Sequence, residues 1–240
     1  MGIQGDEGMA MADDLRALKD EVARLARRVT VLEDIQAVRT LHFKYGYYMD
    51  ACLYEEVIDL FAEDAELKFL NGVYVGKAGV RRLYRDWLSQ VWTGGKDGIP
   101  RGLLYDHLQV QDVVDIAPDG ETAYGRFRAL MLGGWHDTME NPPKVPQEMW
   151  EAGIYENAYR KESGVWKFWR FDYNMLWQAE YQKGWGHSEV HLKPLTQTWP
   201  EDPRGPDRLT PTTLKAWPET RIVPFHYPHP VTGKAWRDHP

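Results

Sequence analysis

The stretch from Ile35 to Gly79 constrains the fold of this chain more than any other part of the sequence. An aromatic-rich helix is predicted to end at Asp50, and a short amphipathic helix is predicted from Tyr54 to Phe61. The dipeptide Asn71-Gly72 then favours a hairpin, because its residues readily adopt the positive φ values of a type I′ turn. This order brings a carboxylate to the mouth of a curved sheet, which is typical of an enzyme with a pocket.

Apolar residues recur in steps of three and four before this stretch and predict a helix with about three heptads. They are Leu15, Leu18, Val22, Leu25, Val29 and Leu32. Valine at two of the three a positions, with leucine at every d position, leans toward two strands. We therefore expect a homo-oligomer, either a dimer or a trimer. The same stripe could equally lie along the body of its own protomer.

The second half of the chain favours long strands. A third helix, from Val80 to Val91, is expected to end at Gly94-Gly95. Four strands should follow it, at Leu103–Ile116, Thr122–Leu132, Met149–Lys161 and Val165–Leu176. Ten of the fifteen prolines fall in the last 47 residues, which predicts an extended arm without regular structure beyond Gly186.

These patterns divide the chain into three parts. Residues 1–33 form the heptad helix, residues 34–185 form the main and catalytic domain, and residues 186–240 form the proline-rich arm. An arm of this kind is expected to cover an opening, either in its own protomer or in a neighbour.

Composition narrows the choice of partners and location. The formal net charge of −7 disfavours nucleic acids and anionic membranes, since both bind clustered Lys and Arg. Cys52 is the only cysteine, and the first residues contain no apolar signal segment. We therefore expect a cytoplasmic protein with a small-molecule partner. Eleven Trp and thirteen Tyr fit an aromatic core with an oligomer interface, an aromatic-lined ligand pocket, or both.

The order of elements resembles the nuclear transport factor 2-like superfamily, in particular its SnoaL-like and scytalone dehydratase-like branch. The resemblance covers Ile35 to Trp177. It implies an α+β fold in which a cone-shaped, curved mixed sheet wraps around N-terminal helices and encloses a cavity for a hydrophobic ligand. It is carried by the hairpin Gly164–Phe168 and by Tyr48, Asp50, Phe61, Asp64, Gly76, His107, Ala123 and Gly125.

The resemblance also implies a catalytic pair, with His107 as the proton-transfer residue and Asp50 as the carboxylate that orients it. A carboxylate bonded to one imidazole nitrogen fixes the tautomer and leaves the other nitrogen free to move a proton. Tyr48 is a further candidate catalytic residue that could assist His107 and Asp50. In the alternative interpretation, His107 lies on a solvent-facing side of its strand together with Tyr105.

The sequence departs from the dehydratase pattern at the other catalytic positions. The second catalytic histidine would fall near Leu132 or Gly133, and the polar pair of the next strand falls on Gly153 and Tyr155. The scytalone reaction itself is therefore not expected. Candidate substrate-binding residues are instead Tyr155, Asn157, Asn174, Tyr105, Phe69, Arg101 as a partner for a phenolate, and His136 as a replacement acid. Arg126 and Arg128 are expected on the outer face of the sheet, at an oligomer interface.

Metal and cofactor chemistry find little support in the sequence. His187 and His191 have i, i+4 spacing but no third ligand, and a proline-rich tail holds His226, His229 and His239. Phosphate-loop, nucleophile-elbow and dinucleotide signatures are not found in the sequence, and no cofactor is expected.

The sequence therefore predicts a cofactor-independent lyase that uses general acid and base catalysis on a hydrophobic phenolic substrate. Length, aromatic content and the C-terminal arm are similar to those of bacterial formaldehyde lyases acting on diaryl lignin dimers. That similarity implies loss of water and formaldehyde from a diarylpropane diol to give a stilbene. The alternatives are a dehydratase or ketosteroid-type isomerase on a polycyclic substrate, and a non-catalytic small-molecule binding module.

Overall fold

The computed structural model describes residues 3–211 and 215–236. Its first element is one uninterrupted helix, α1, from Ile3 to Asp50. Side chains from residue 11 to residue 33 are all exposed, and burial begins at Asp34. The expected boundary at residue 33 therefore lies inside α1. The six heptad side chains are 44% to 66% exposed, so the stripe does not lie along the body of its own protomer.

The connection between α1 and the sheet differs from the prediction at two points. Helix α2 spans Tyr54–Asp59, shorter than expected, because Phe61 already begins strand β1 (Phe61–Phe69). The hairpin to β2 (Gly72–Val75) turns at Leu70 and Asn71, where Leu70 has a φ of +56° and Gly72 already pairs with Phe69. The predicted turn at Asn71-Gly72 was thus wrong by one residue.

The Asn71 side chain makes tertiary hydrogen bonds, which account for its place in the turn. Its amide donates to the Leu195 carbonyl over 3.0 Å and its carbonyl oxygen accepts from the Leu195 backbone N–H over 2.7 Å. Asn71 therefore holds the C-terminal arm against the hairpin.

A helical segment then closes one end of the sheet. It consists of α3 (Gly76–Arg81), a π-helical stretch (Arg82–Leu88) and α4 (Ser89–Thr93). Gly94, with a φ of +64°, ends it as predicted.

Four long strands follow: β3 (Leu103–Ile116), β4 (Thr122–Trp135), β5 (Glu148–Glu162) and β6 (Val165–Glu180). The sheet order is β3-β4-β5-β6-β1-β2-β7; β1 runs parallel to β6, and the other pairings are antiparallel. Register shifts in β3, where Gln111 has a φ of +52°, and in β6, where Trp169 and Leu176 are the extra residues, bend the strands. The predicted α+β fold, with a curved mixed sheet around an N-terminal helix, is confirmed.

The concave face of the sheet packs against the second half of α1. Buried aromatic rings dominate this core, among them Tyr45, Phe127 and Phe168. His42 is fully buried there and stacks on Phe127 with ring centroids 3.7 Å apart. Both ring nitrogens of His42 are satisfied, at 3.0 Å each, by the Tyr159 hydroxyl and the Gln109 side-chain oxygen.

The C-terminal arm wraps its own protomer. The prediction that it has no regular structure was wrong at Arg208–Leu209, which forms β7 on the edge of β2. Farther along, the Arg126 guanidinium donates to the carbonyls of Val223 and Pro224. The arm, rather than another subunit, therefore lies on Arg126 at the outer face. His239 lies outside the described residues.

Candidate active site

Asp50 and His107 meet where the end of α1 crosses the middle of β3. The His107 backbone N–H donates to Asp50 Oδ1 over 2.6 Å, and His107 Nδ1 lies 3.2 Å from the same oxygen. An ionised carboxylate only accepts hydrogen bonds, so Nδ1 carries the ring proton and Nε2 remains free to accept one. His107 is 7% exposed and faces inward, whereas Leu104 and Leu108 occupy the solvent side of the strand.

His107 forms part of the wall of a cavity of about 210 Å³. The cavity lies between α1, the π-helical segment and the concave face of the sheet. Aromatic and aliphatic side chains provide most of its surface, including Phe69, Trp87, Trp92, Tyr105, Met131 and Phe171. The Tyr105 ring stands edge-on to the His107 imidazole, with centroids 4.3 Å apart, and restricts the tilt of that ring.

Three tyrosine hydroxyls form a polar spot in this apolar wall. Tyr45, Tyr84 and Tyr155 all line the cavity, and the Tyr84 hydroxyl donates to the Tyr45 hydroxyl over 3.1 Å. Burial raises the pKa of all three phenols above its ordinary value. They therefore stay neutral, and Tyr45, whose oxygen accepts from Tyr84, keeps its own proton to donate to an oxygen of a ligand.

Glu151 is a second titratable group on the cavity wall. It is 3% exposed, and its two carboxyl oxygens accept from the Tyr173 hydroxyl (2.6 Å) and the Gln178 amide (2.8 Å). No Lys or Arg of the described residues forms an ion pair with it. Burial raises the pKa of Glu151 to about 7, although the two hydrogen bonds act in the opposite direction. A carboxyl group in this state can both give and take a proton near neutral pH.

Strand register places Glu151 opposite His107 in a single row. His107 pairs with Met131, Met131 pairs with Glu151, and Glu151 pairs with Gln178. Neighbouring strands lie about 4.8 Å apart, so the backbones of His107 and Glu151 are separated by roughly 10 Å. Met131 lies between them and also lines the cavity.

The arm contributes to the same site from outside the sheet. His191 and Leu192 line the cavity, and the His191 backbone N–H donates to the Gln178 side-chain oxygen over 2.8 Å. Gln178 therefore connects the arm to Glu151. Of the two alternatives for the arm, the structure shows it over the cavity of its own protomer.

The predicted site residues fall into two groups by position. Tyr155, Tyr105 and Phe69 line the cavity together with His107, and Asp50 supports His107 from behind. Tyr48 packs against the hydrophobic core and does not line the cavity.

Four other candidates lie away from the cavity. Asn157 shares the Tyr155 face but lies deeper, where it accepts from the Asp172 backbone N–H over 2.9 Å. Asn174 accepts from Arg221 over 2.7 Å. His136 is exposed at the sheet rim beside Thr138, and Arg101 lines a separate depression of about 890 Å³.

Sequence reasoning missed Glu151, Gln178 and the two arm residues. Glu151 could have been found only from its position across the sheet from His107. That position depends on two strand registers, β3 with β4 and β4 with β5. The bulge at Gln111 shifts one of them, and the long connection between β4 and β5 leaves the other undetermined.

His187 and His191 lie in turns and extended backbone, so their spacing does not place them on one helix face. Across residues 3–211 and 215–236, no three His, Cys, Asp or Glu side chains are grouped closely enough to hold a metal ion. None of the helices described has the length and apolar content to cross a membrane.

Solved structures share this fold at low identity. A candidate scytalone dehydratase from Novosphingobium aromaticivorans DSM 12444 is 20% identical, with a TM-score of 0.52, over 71% of this chain and 99% of its own. A hexachlorocyclohexane dehydrochlorinase, LinA type 2, is 17% identical with the same TM-score and coverages. LinA type 3 from Novosphingobium barchaimii LL02 is 17% identical, with a TM-score of 0.51, over 70% of this chain and 99% of its own. At such identities the likeness shows the fold alone.

Among curated proteins, none matches the chain. The sequence profile of the SnoaL-like domain does match, over residues 30–172, which is more than half of the chain. The matched range includes the end of α1, the helical segment, β3, β4, β5 and the first half of β6, and with them Asp50, His107 and Glu151. This chain belongs to the SnoaL-like domain family.

Proposed function

We propose that this protein is a cofactor-independent lyase that moves protons between a hydrophobic aromatic substrate and two groups, His107 and Glu151. The observation that carries the proposal is the contact of His107 Nδ1 with Asp50 at the wall of an apolar cavity, over 3.2 Å. A binding module has no need for an oriented imidazole in such a place. The same contact argues against the non-catalytic alternative.

The two groups have complementary roles. His107, held by Asp50 with Nε2 unprotonated, acts as the general base. Glu151, whose pKa is raised to about 7 by burial, acts as the general acid. Each role typically contributes about 10²- to 10⁴-fold in rate, so positioning in the dry cavity must supply further acceleration.

The specific reaction we propose is the loss of water and formaldehyde from a lignin-derived diarylpropane diol with a para-phenolate. Electrons from the phenolate expel the benzylic hydroxyl, which leaves as water with the proton of Glu151, and a quinone methide forms. His107 then takes the proton of the terminal hydroxymethyl group. The C–C bond breaks, formaldehyde leaves, and the electron pair returns to the ring to give a phenolate stilbene.

Transfer of one proton from His107 to Glu151 restores both groups after each turnover. Every step moves a proton or an electron pair that the substrate or Glu151 already carries, so the reaction requires no electron carrier. The neutral hydroxyl of Tyr45, with those of Tyr84 and Tyr155 beside it, would donate to the phenolate oxygen.

The size of the cavity favours a second candidate, a dehydratase or isomerase acting on a compact ring system. A cavity of about 210 Å³ is smaller than the roughly 300–1,000 Å³ of pockets for drug-sized ligands. One aryl ring fits this space, whereas a second ring requires the arm at His191 and Leu192 to shift outward.

A substrate panel separates these functions. We would incubate the protein with phenolic diaryl diols, their phenol-methylated analogues and one-ring diols, and follow stilbene absorbance and trapped formaldehyde together. The lyase forms both products in equal amounts from the free phenols and neither from the methylated analogues. Water loss without formaldehyde indicates the dehydratase, and binding without turnover of any compound contradicts both enzymes.

Two variants test the roles in the same assay. His107→Gln should abolish turnover while ligand binding persists. Asp50→Asn should lower kcat by about 10⁴-fold, because an amide no longer holds the imidazole in the required tautomer. A loss of thermal stability without a loss of rate in Asp50→Asn would mark Asp50 as structural.

A further inference from the structure

We infer that the N-terminal half of α1 binds a second copy of this chain as a parallel, two-stranded coiled coil. The inference rests on the exposed part of the helix and is independent of the lyase proposal. The partner of the apolar stripe is the same helix of a second molecule, and the two helices run parallel.

The stripe has no cover within its own chain. Side chains from residue 11 to residue 33 are all exposed, over a helix length of roughly 35 Å. Most helical stability in proteins comes from burial of an apolar face rather than from the intrinsic propensity of the residues. The leucines and valines of this stripe therefore have no surface in the described part of their own chain against which to pack.

The heptad positions specify the number of strands. Leu15, Val22 and Val29 occupy a positions, and Leu18, Leu25 and Leu32 occupy d positions. A β-branched residue at a with leucine at d packs well in parallel dimers, whereas trimers and tetramers prefer other combinations. Two of the three a positions and all d positions fit the dimer.

Charges beside the stripe specify the direction. In a parallel pair, a g position faces the e position five residues later in the partner. Asp14 at g then faces the partner's Lys19, and Arg28 at g faces the partner's Glu33, so both charged pairs are opposite in sign. The third pair, Glu21 with the partner's Ala26, carries no repulsion. An antiparallel pair would instead place Glu21 against Glu21 of the partner subunit.

The first test measures the mass of the full-length protein by sedimentation velocity and light scattering. Wild type should sediment as two chains, and Leu25→Asp should sediment as one chain, with at least a tenfold weaker association. Val31→Asp is the matched control, because Val31 is 43% exposed on the same helix but lies at a c position off the stripe. It should remain a dimer. Near-ultraviolet circular dichroism of the aromatic core should be the same in all three proteins.

The second test fixes the direction with a new cysteine. Leu18→Cys meets its own copy in a parallel dimer, whereas in an antiparallel dimer residue 18 faces Val29 of the partner subunit. Mild oxidation should therefore give a disulfide-linked dimer of Leu18→Cys. Wild type should not cross-link, because Cys52 is buried.

Three outcomes would overturn the inference: a wild-type monomer, an assembly that survives Leu25→Asp, or a wild-type trimer. Failure of Leu18→Cys to cross-link within a confirmed dimer would overturn the parallel direction. None of these outcomes bears on whether His107 and Glu151 catalyse a reaction.

Discussion

Glu151 is the residue whose chemistry depends most on its surroundings. The Tyr173 hydroxyl and the Gln178 amide hold both of its oxygens, and the apolar cavity raises its pKa to about 7. As the proton donor it must be protonated, so the proposed activity should fall as the pH rises through about 7. Its replacement therefore tests both the role and the ionisation.

Glu151→Gln should lower kcat by about 10²- to 10⁴-fold and remove the fall in activity near neutral pH, because an amide keeps the shape but has no acidic proton. Tyr173→Phe is the matched variant. It removes one hydrogen bond that favours the carboxylate, so the fall in activity should move to higher pH. The measurement is kcat against pH for the three proteins. An unchanged profile in Glu151→Gln would exclude Glu151 as the acid.

The two members of the proposed acid and base set differ in how far they could be predicted. Asp50 and His107 were accessible through a family resemblance, because each lies in an element whose type and order the hydrophobic pattern predicts. Glu151 follows from no local pattern. A carboxylate within a strand usually faces solvent, and only its partners on β4 and β6 show that this one faces inward.

The C-terminal arm is the element that the sequence predicted least well. Its prolines predicted extended backbone, and most of it is extended, but prolines do not indicate what the arm touches. Two buried amides fix its path: Asn71 binds Leu195 and Gln178 binds His191. Side-chain amides that bond distant backbone carry no periodic signal, so the course of the arm had to come from the structure.

Asn71→Ala should loosen this arm. It removes two hydrogen bonds and leaves the Leu195 backbone groups unpaired, at a cost of about 1–3 kcal/mol. Because His191 and Leu192 line the cavity, we expect faster proteolysis within the arm and a raised KM, with a smaller change in kcat. Lys193→Ala is the control, since its ammonium group contacts the Val190 carbonyl at the exposed surface. Unchanged proteolysis and KM in Asn71→Ala would show that other contacts hold the arm.

The long elements of the sheet, by contrast, were predictable. Alternating and apolar runs located β3, β4, β5 and β6 to within a few residues, and Gly94 and the Ser163-Gly164 turn ended elements as expected. The first hairpin was displaced by one residue because Asn71 serves the arm. Local turn chemistry predicts a turn well only where no tertiary contact competes for the same side chain.

Two buried groups connect the stability of the whole molecule to pH in opposite directions. Burial lowers the pKa of His42 from 6.5 to about 3, although its bond to Gln109 opposes this. Between these values the unfolded chain binds a proton that the folded chain excludes, so stability falls as the pH falls. Burial raises the pKa of Glu151 from 4.5 to about 7, so the folded chain keeps a proton that the unfolded chain releases, and stability falls as the pH rises.

Between about pH 4.5 and 6.5 these two contributions oppose each other, each with a slope of up to about 1.4 kcal/mol per pH unit. Glu151→Gln removes the Glu151 contribution, whereas the His42 contribution is the same in both proteins and cancels in their difference. We therefore expect the free energy of unfolding of Glu151→Gln, relative to wild type, to increase with pH by about 1 kcal/mol per unit up to about pH 7. Urea unfolding of both proteins across this range measures the difference.

Glu148→Gln provides the control for this experiment, because Glu148 is an exposed carboxylate at the start of the same strand. Its difference from wild type should stay nearly constant with pH. If the Glu151→Gln difference were also constant, Glu151 would ionise alike in the folded and unfolded chains. The carboxyl group would then be ionised at neutral pH and would hold no proton to donate to a leaving hydroxyl, so the acid in the proposed elimination would have to be another group.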